Sequence, residues 1–159
     1  MGRTDIALNE EGRAQCQELL QKLDPDFEII FSSPLKRARE TAQVLAEHFG
    51  KKVITADELA ERDFGSLSGK TWDEIHEATG IDMKTITKAE KYDFRPYGGE
   101  SAEQVKERIV KFLEDLKTQP YSNVVVACHG GVISMMHHLF PKDEISSITN
   151  TSIHVFELS

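Results

Sequence analysis

Short apolar segments alternate with longer amphipathic segments along this chain, and that alternation constrains the fold more than any other feature. Residues 124–127 are continuously apolar, which is typical of a strand buried on both faces of a sheet. Before them, Ser101 and Gln104 have the spacing of a capping box, and apolar residues recur at helical intervals from Val105 to Leu116. Strands that alternate with helices predict α/β layers around a mostly parallel central sheet.

The same patterns predict the other elements. Asn9 suits the N-cap of a first helix, because carboxylates follow it in the first turn. Ser33 is predicted to cap the next helix, with Pro34 at its first position. Weak periodicity from Gly80 to Gly99 indicates an excursion with one helical turn. The further predicted elements are helices at residues 72–78 and after the glycine pair at 130–131, and strands at residues 27–31, from residue 53, and at residues 152–158.

Length, charge and cysteine content exclude several classes of function. The 159 residues suffice for one domain, which we predict over residues 1–159. The formal net charge of -8 disfavours binding to nucleic acid or to anionic membranes, although a local cluster of Arg and His would still hold an anionic substrate. No apolar run reaches membrane-spanning length, and no signal peptide is recognised. Cys16 and Cys128 lie far apart, so reduced thiols and a cytoplasmic location are expected.

His129 is the first candidate for chemistry. It follows the predicted buried strand and precedes Gly130 and Gly131, which begin a helix. Ligands of open α/β sheets bind beyond the carboxyl ends of the strands, where glycines let backbone amides approach an anion. His129 either donates a hydrogen bond to a phosphoryl oxygen or serves as a structural histidine, and taken alone the residue leaves both interpretations open.

A basic segment and a carboxylate supply two more candidates. Arg37 and Arg39 lie near the start of a predicted helix, where cations oppose the helix dipole unless an anion such as phosphate offsets them. A solvated basic face is the alternative, and it is favoured when the segment is considered alone. Glu61 precedes Phe64 and is a candidate general acid if burial or a nearby anion raises its pKa; an ordinary surface glutamate is the alternative. Adjacent His137 and His138 would diverge by about 100° on a helix, so no metal site is predicted.

Four segments in series resemble the histidine phosphatase superfamily, also called phosphoglycerate mutase-like. They are residues 2–12, 32–42, 59–65 and 128–131. The resemblance covers nearly the whole chain in the correct order. It implies a three-layer phosphoglycerate mutase-like fold with a mostly parallel sheet.

The resemblance also implies roles for individual residues. Arg37 would clamp the phosphoryl group, Glu61 would protonate the leaving oxygen and then activate water, and His129 would stabilise the transferring oxygens. The expected pocket wall consists of Gly2, Arg39, Phe64 and Gly130. The family reaction proceeds by two displacements through a phosphohistidine and needs no metal or organic cofactor.

The implied substrate is a small phosphomonoester, such as a sugar phosphate, α-ribazole phosphate or phosphoglycerate. The short excursion between Gly69 and Gly99 favours a phosphatase over a mutase. The alternatives are a phosphoglycerate mutase-type activity and a non-catalytic module that binds a phosphorylated ligand or a partner. Assembly into a homo-oligomer is left open.

One family segment has no counterpart in this sequence, namely a first strand that ends in Arg-His-Gly and carries the nucleophile. Relative to the family the chain is N-terminally truncated, and no other histidine replaces the nucleophile by position. Three interpretations follow: a fragment of a normal phosphatase or a gene start assigned too late, a pseudoenzyme, or a shortened chain completed by another chain's strand. The first is favoured because Arg37, Glu61 and His129 are all present.

Overall fold

Three parallel strands form the centre of the protein in a computed structural model that describes residues 2–141 and 147–159. The strands are β1 (Ile29–Ser32), β2 (Val53–Thr55) and β3 (Val124–Ala127), in the order β2-β1-β3. Residue 31 pairs with residue 54 on one side and with residue 126 on the other. This parallel arrangement brings the carboxyl ends of all three strands to one edge of the sheet.

Six α-helices surround the sheet within the described residues. They are α1 (Glu10–Lys22), α2 (Lys36–Phe49), α3 (Trp72–Thr79), α4 (Met83–Lys88), α5 (Ala102–Lys117) and α6 (Gly130–Leu139). Single 3₁₀ turns lie at Asp57–Leu59, Gly65–Leu67 and Arg95–Tyr97. None of the helices in the described part of the chain is long and apolar enough to cross a bilayer.

Alternation of side chains along β1 produces the three layers. Ile30 packs with α1 and α2, for example against Leu45, on one face of the sheet. Phe31 points to the other face, where its ring meets that of Phe112 of α5 edge-on at 5.6 Å between centroids. The predicted three-layer α/β fold with a parallel sheet is therefore confirmed.

The predicted helix starts at Asn9 and Ser101 are confirmed, but the one at Ser33 is wrong. Asn9 accepts a hydrogen bond from the Gly12 amide, and Ser101 forms a complete capping box with Gln104. Ser33 does not cap α2, which begins at residue 36. The Ser33 amide donates to the carbonyl of residue 127 at 2.9 Å, so Ser33 continues the sheet ladder instead of starting the helix.

Three further expectations need correction. All four residues of β3 are only half-buried, because β1 is the one strand that pairs with β3 in the described part of the chain. Residues 152–158 do not form the expected strand. Phe156 of this segment packs on His137 of α6 instead. The excursion between Gly80 and Gly99 contains α4 as well as a 3₁₀ turn, rather than one helical turn.

Candidate functional site

His129 lies at the carboxyl edge of the sheet, directly after β3. Its imidazole is buried, and Nε2 lies 2.6 Å from the hydroxyl oxygen of Ser33, the residue that follows β1. His129 also occupies the N-cap position of α6. The ends of two neighbouring strands therefore fix this side chain beside a helix N-terminus.

The surroundings of His129 keep its imidazole neutral. Burial lowers the pKa of His129 to about 3, and the positive charges of Arg37 and Arg108 act in the same direction. At neutral pH one ring nitrogen therefore carries a proton and can donate it in a hydrogen bond. Such a donor suits an anionic oxygen bound beside the two arginines.

Replacing His129 with glutamine is expected to make the fold less sensitive to acid. The folded-state pKa lies below the unfolded value of about 6.5, so stability is lost as pH falls below 6.5 toward the folded pKa. Between pH 7 and pH 5 the unmodified protein should lose about 2 kcal/mol more of its free energy of unfolding than His129→Gln. Urea unfolding at both pH values measures this; equal losses would contradict a lowered pKa.

Arg37 projects from the first turn of α2 toward the segment at residues 2–4. Its Nη1 donates to the Thr4 carbonyl at 2.8 Å, and Nη2 donates to the Gly2 carbonyl at 3.0 Å. Burial lowers the pKa of Arg37, whereas the negative charges of Glu61 and Asp5 oppose that shift. Arg37 is therefore held in place by the backbone and lies within electrostatic reach of both Glu61 and His129.

Glu61 connects this cluster to the start of α6. Its Oε1 accepts hydrogen bonds from the amide of Arg62 at 2.9 Å and from the amide of Gly131 at 3.1 Å. A Cβ at position 131 would overlap this oxygen and lie 2.5 Å from Nε of Arg62. Glycine at 131 thus lets a carboxylate reach the helix N-terminus, where the helix dipole favours negative charge.

The remaining predicted residues have different surroundings. Phe64 is buried, packs edge-on against Phe94, and lies beside Gly2, which is also buried. Gly130 is exposed as the first residue of α6. Arg39 is exposed on α2, and within the described residues no hydrogen bond or ion pair joins it to the candidate catalytic side chains.

Glu100 is a central residue that the sequence patterns did not indicate. Its Oε1 accepts from Arg3 and from Arg108, each at 3.0 Å, and its Oε2 accepts from the Asp63 amide at 3.0 Å. The turn at residues 98–100 thus places a carboxylate between two arginines.

The two arginines that bind Glu100 also bind the backbone near Glu61. Nε of Arg3 donates to the Glu61 carbonyl at 3.0 Å, and Nη1 of Arg108 donates to the Glu58 carbonyl at 2.5 Å. These two hydrogen bonds thus hold the backbone at residues 58 and 61. These residues lie far apart in the sequence, and no local spacing distinguishes them from ordinary surface charges.

Comparison with known proteins identifies the family. The model of the histidine phosphatase superfamily (branch 1) matches residues 1–159. The chain belongs to the histidine phosphatase superfamily. The resemblance of its four motif segments is thereby confirmed, and members similar to this chain include phosphatases and mutases.

Curated relatives match most of this chain. Phosphoglycerate mutase-like protein 4 of Arabidopsis thaliana is 34% identical over 99% of the chain and 71% of the relative. The metal-independent phosphoserine phosphatase of the same plant is 30% identical, covering 99% of the chain and 68% of the relative. A 2,3-bisphosphoglycerate-dependent phosphoglycerate mutase of Parvibaculum lavamentivorans is 31% identical over 81% of the chain. The chain spans only 65% of that mutase's length.

Solved structures of this superfamily share the fold. A mycobacterial glucosyl-3-phosphoglycerate phosphatase superimposes with a TM-score of 0.74 at 29% identity, over 87% of this chain and 71% of that chain. Phosphoglycerate mutase from Thermus thermophilus gives a TM-score of 0.71 at 34% identity, over 90% of this chain and 75% of that chain. These matches agree with the phosphoglycerate mutase-like fold expected from the sequence.

Proposed function

We propose that this chain forms the phosphoryl-binding and proton-transfer part of a histidine phosphatase that hydrolyses a small phosphomonoester. The observation that carries this proposal is the grouping of Arg37, Glu61 and His129 at the carboxyl edge of the sheet. There a cationic fork, a neutral imidazole donor and a carboxylate lie within electrostatic reach of one another. Fixed donors of this kind stabilise charge on the oxygens of a transferring phosphoryl group.

Each side chain has a role that follows from its chemistry. Arg37 binds phosphoryl oxygens, because its planar guanidinium matches their geometry. His129 donates a hydrogen bond to an equatorial oxygen without adding a further charge. Glu61, held by two backbone amides, protonates the leaving oxygen and then takes a proton from the attacking water. Gly2, Phe64 and Gly130 contribute to the wall of the pocket, and exposed Arg39 is a peripheral contact for the substrate.

The nucleophile in this proposal is a histidine on the family's Arg-His-Gly strand, which would form a phosphohistidine. None of the segments of this sequence contains that motif. We therefore expect the chain alone to bind a phosphorylated ligand without transferring its phosphoryl group. Joined to such a strand, the same residues complete the two displacements of a hydrolase.

A phosphatase acting on a small metabolite is favoured over a mutase. The excursion between Gly69 and Gly99 is short and contains only α3, α4 and one 3₁₀ turn. Relatives include phosphatases described for phosphoserine and for glucosyl-3-phosphoglycerate. Sugar phosphates, phosphoglycerate and α-ribazole phosphate belong to the same chemical class. Free Cys16 and Cys128 are consistent with action in the cytoplasm.

Arg37→Gln is expected to weaken binding of inorganic phosphate to this chain by about 10- to 100-fold. The substitution removes charge-assisted hydrogen bonds, each of which contributes about 1.5–3 kcal/mol. Titration calorimetry or phosphorus NMR with phosphate measures the affinity. Arg95→Gln is the matched control, because Arg95 is exposed and pairs with Asp93 of its own turn. Equal affinities for Arg37→Gln and the unmodified chain would contradict the proposed site.

A further inference from the structure

Arg62, the residue after Glu61, is anchored in a buried ionic cluster. Its guanidinium carbon lies 5.1 Å from the centre of the Tyr92 ring, and Nη1 lies 3.9 Å from Oε2 of Glu90. The side chains of Arg62 and Glu90 are only 11% and 2% exposed. Buried charges of this kind are costly to keep unless they are paired, so the pair constrains where both side chains lie.

Glu90 also binds α6. Its Oε1 accepts a hydrogen bond from the hydroxyl of Ser134, which lies three residues after Gly131 on the same helix. Glu90 therefore joins two segments, one carrying Arg62 and the other carrying Gly131. These are the two residues whose amides donate to the Glu61 carboxylate.

The local conformation of Glu90 is unfavourable in isolation. Its φ is +49°, in the left-handed region that residues other than glycine rarely adopt. Burial raises the pKa of Glu90, while Ser134 and Arg62 oppose that shift. A strained backbone that carries a buried carboxylate persists only where surrounding contacts hold it, and such positions cluster near functional sites.

We propose that Glu90 is a positioning residue for Glu61. It contacts Arg62 and the hydroxyl of Ser134 on α6, and these contacts keep the amides of Arg62 and Gly131 oriented toward the Glu61 carboxylate. The inference rests on the proposed function, in which Glu61 is the acid. Glu90 acts through these two donors and does not itself contact the phosphoryl group.

Hydrogen exchange of single amides, followed by NMR on this chain, tests the proposal. Glu90→Gln keeps the size of the side chain and removes the charge that holds Arg62. The amides of Arg62 and Gly131 should then exchange about tenfold faster, because a hydrogen bond of ordinary strength is weakened. The amide of Ile30 in β1 should keep its rate, which would show that the fold is intact.

Two variants keep the test decisive. Ser134→Ala leaves the charge of Glu90 in place but removes the hydrogen bond between Glu90 and α6. This variant should therefore accelerate exchange at the Gly131 amide more than at the Arg62 amide. Asp93→Asn, which alters an exposed ion pair, should change neither amide. The proposal is overturned if both amides keep their rates in Glu90→Gln and Ser134→Ala, or if Ile30 accelerates by the same factor as they do.

A double substitution separates positioning from general support of the fold. In a Glu61→Ala background the acceptor is gone, so adding Glu90→Gln should change exchange at Gly131 by less than twofold. A full tenfold effect in that background would overturn the proposal. None of these measurements depends on turnover, so their failure is distinct from a failure of Glu61 as the acid.

Discussion

Replacing Gly65 with alanine is expected to lower the free energy of unfolding by about 3 kcal/mol or more. Gly65 has a φ of +56°, and an added Cβ would overlap the Tyr97 carbonyl oxygen and lie 2.6 Å from the Gly99 nitrogen. Both obstacles are backbone atoms, which cannot rotate away as the end of a side chain can. Relief therefore requires the loop at residues 97–99 to move as a unit.

Gly50→Ala is the matched control for this prediction. Gly50 has a similar φ of +64°, but a Cβ there would have no heavy atom within 4 Å. It should lose only about 1–2 kcal/mol, from the left-handed backbone conformation alone. Urea unfolding of both variants under the same conditions isolates the steric part. Equal losses in the free energy of unfolding at the two positions would show that the loop at residues 97–99 moves aside without loss of stability.

The clash at Gly65 also bears on the candidate site. Gly99 packs directly on the backbone of Asp63 and Phe64, and the amide of Glu100 donates to the Asp63 carbonyl at 2.9 Å. A loop displaced from Gly65 would carry Glu100 away from Arg3, whose Nε binds the Glu61 carbonyl. Loss of stability and loss of anion binding should therefore appear together in Gly65→Ala.

Local chemistry explains which helix boundaries could be predicted from the sequence. The caps at Asn9 and Ser101 are bonds between residues three apart, so their spacing is visible along the chain. Ser33 has equally good local chemistry, but its partners are tertiary: its amide donates to the carbonyl of residue 127, and its hydroxyl lies 2.6 Å from Nε2 of His129. A strand likewise needs a partner strand. Residues 152–158 have a suitable composition, yet no ladder forms on them in the described part of the chain.

The same distinction applies to the candidate site. Arg37 and His129 could be predicted to lie at one edge of the sheet, because each follows a strand and parallel strands end at a common edge. Glu90 and Glu100 could not. Their importance comes from arginines brought close by the fold, and isolated charged residues in a sequence are usually solvated.

Glu61→Gln is expected to lower kcat by about 10²–10⁴-fold in a version of the protein that carries the family's Arg-His-Gly strand ahead of residue 2. Glutamine has nearly the same shape and can still accept from the amides of Arg62 and Gly131. It cannot supply a proton to the leaving oxygen or take one from water. Steady-state hydrolysis of phosphoserine, with phosphate release as the signal, measures the loss.

The choice of leaving group distinguishes acid catalysis from a general disturbance of the pocket. An alkoxide such as that of phosphoserine departs poorly without a proton, whereas nitrophenolate needs little help. The loss in kcat/KM should therefore be much larger for phosphoserine than for p-nitrophenyl phosphate, because kcat/KM reports transfer from substrate to the enzyme. Glu58→Gln, which alters a nearby carboxylate bound to Lys111, should affect neither substrate strongly. Equal losses on both substrates would mean that Glu61 orients the phosphoryl group and that the proton comes from elsewhere.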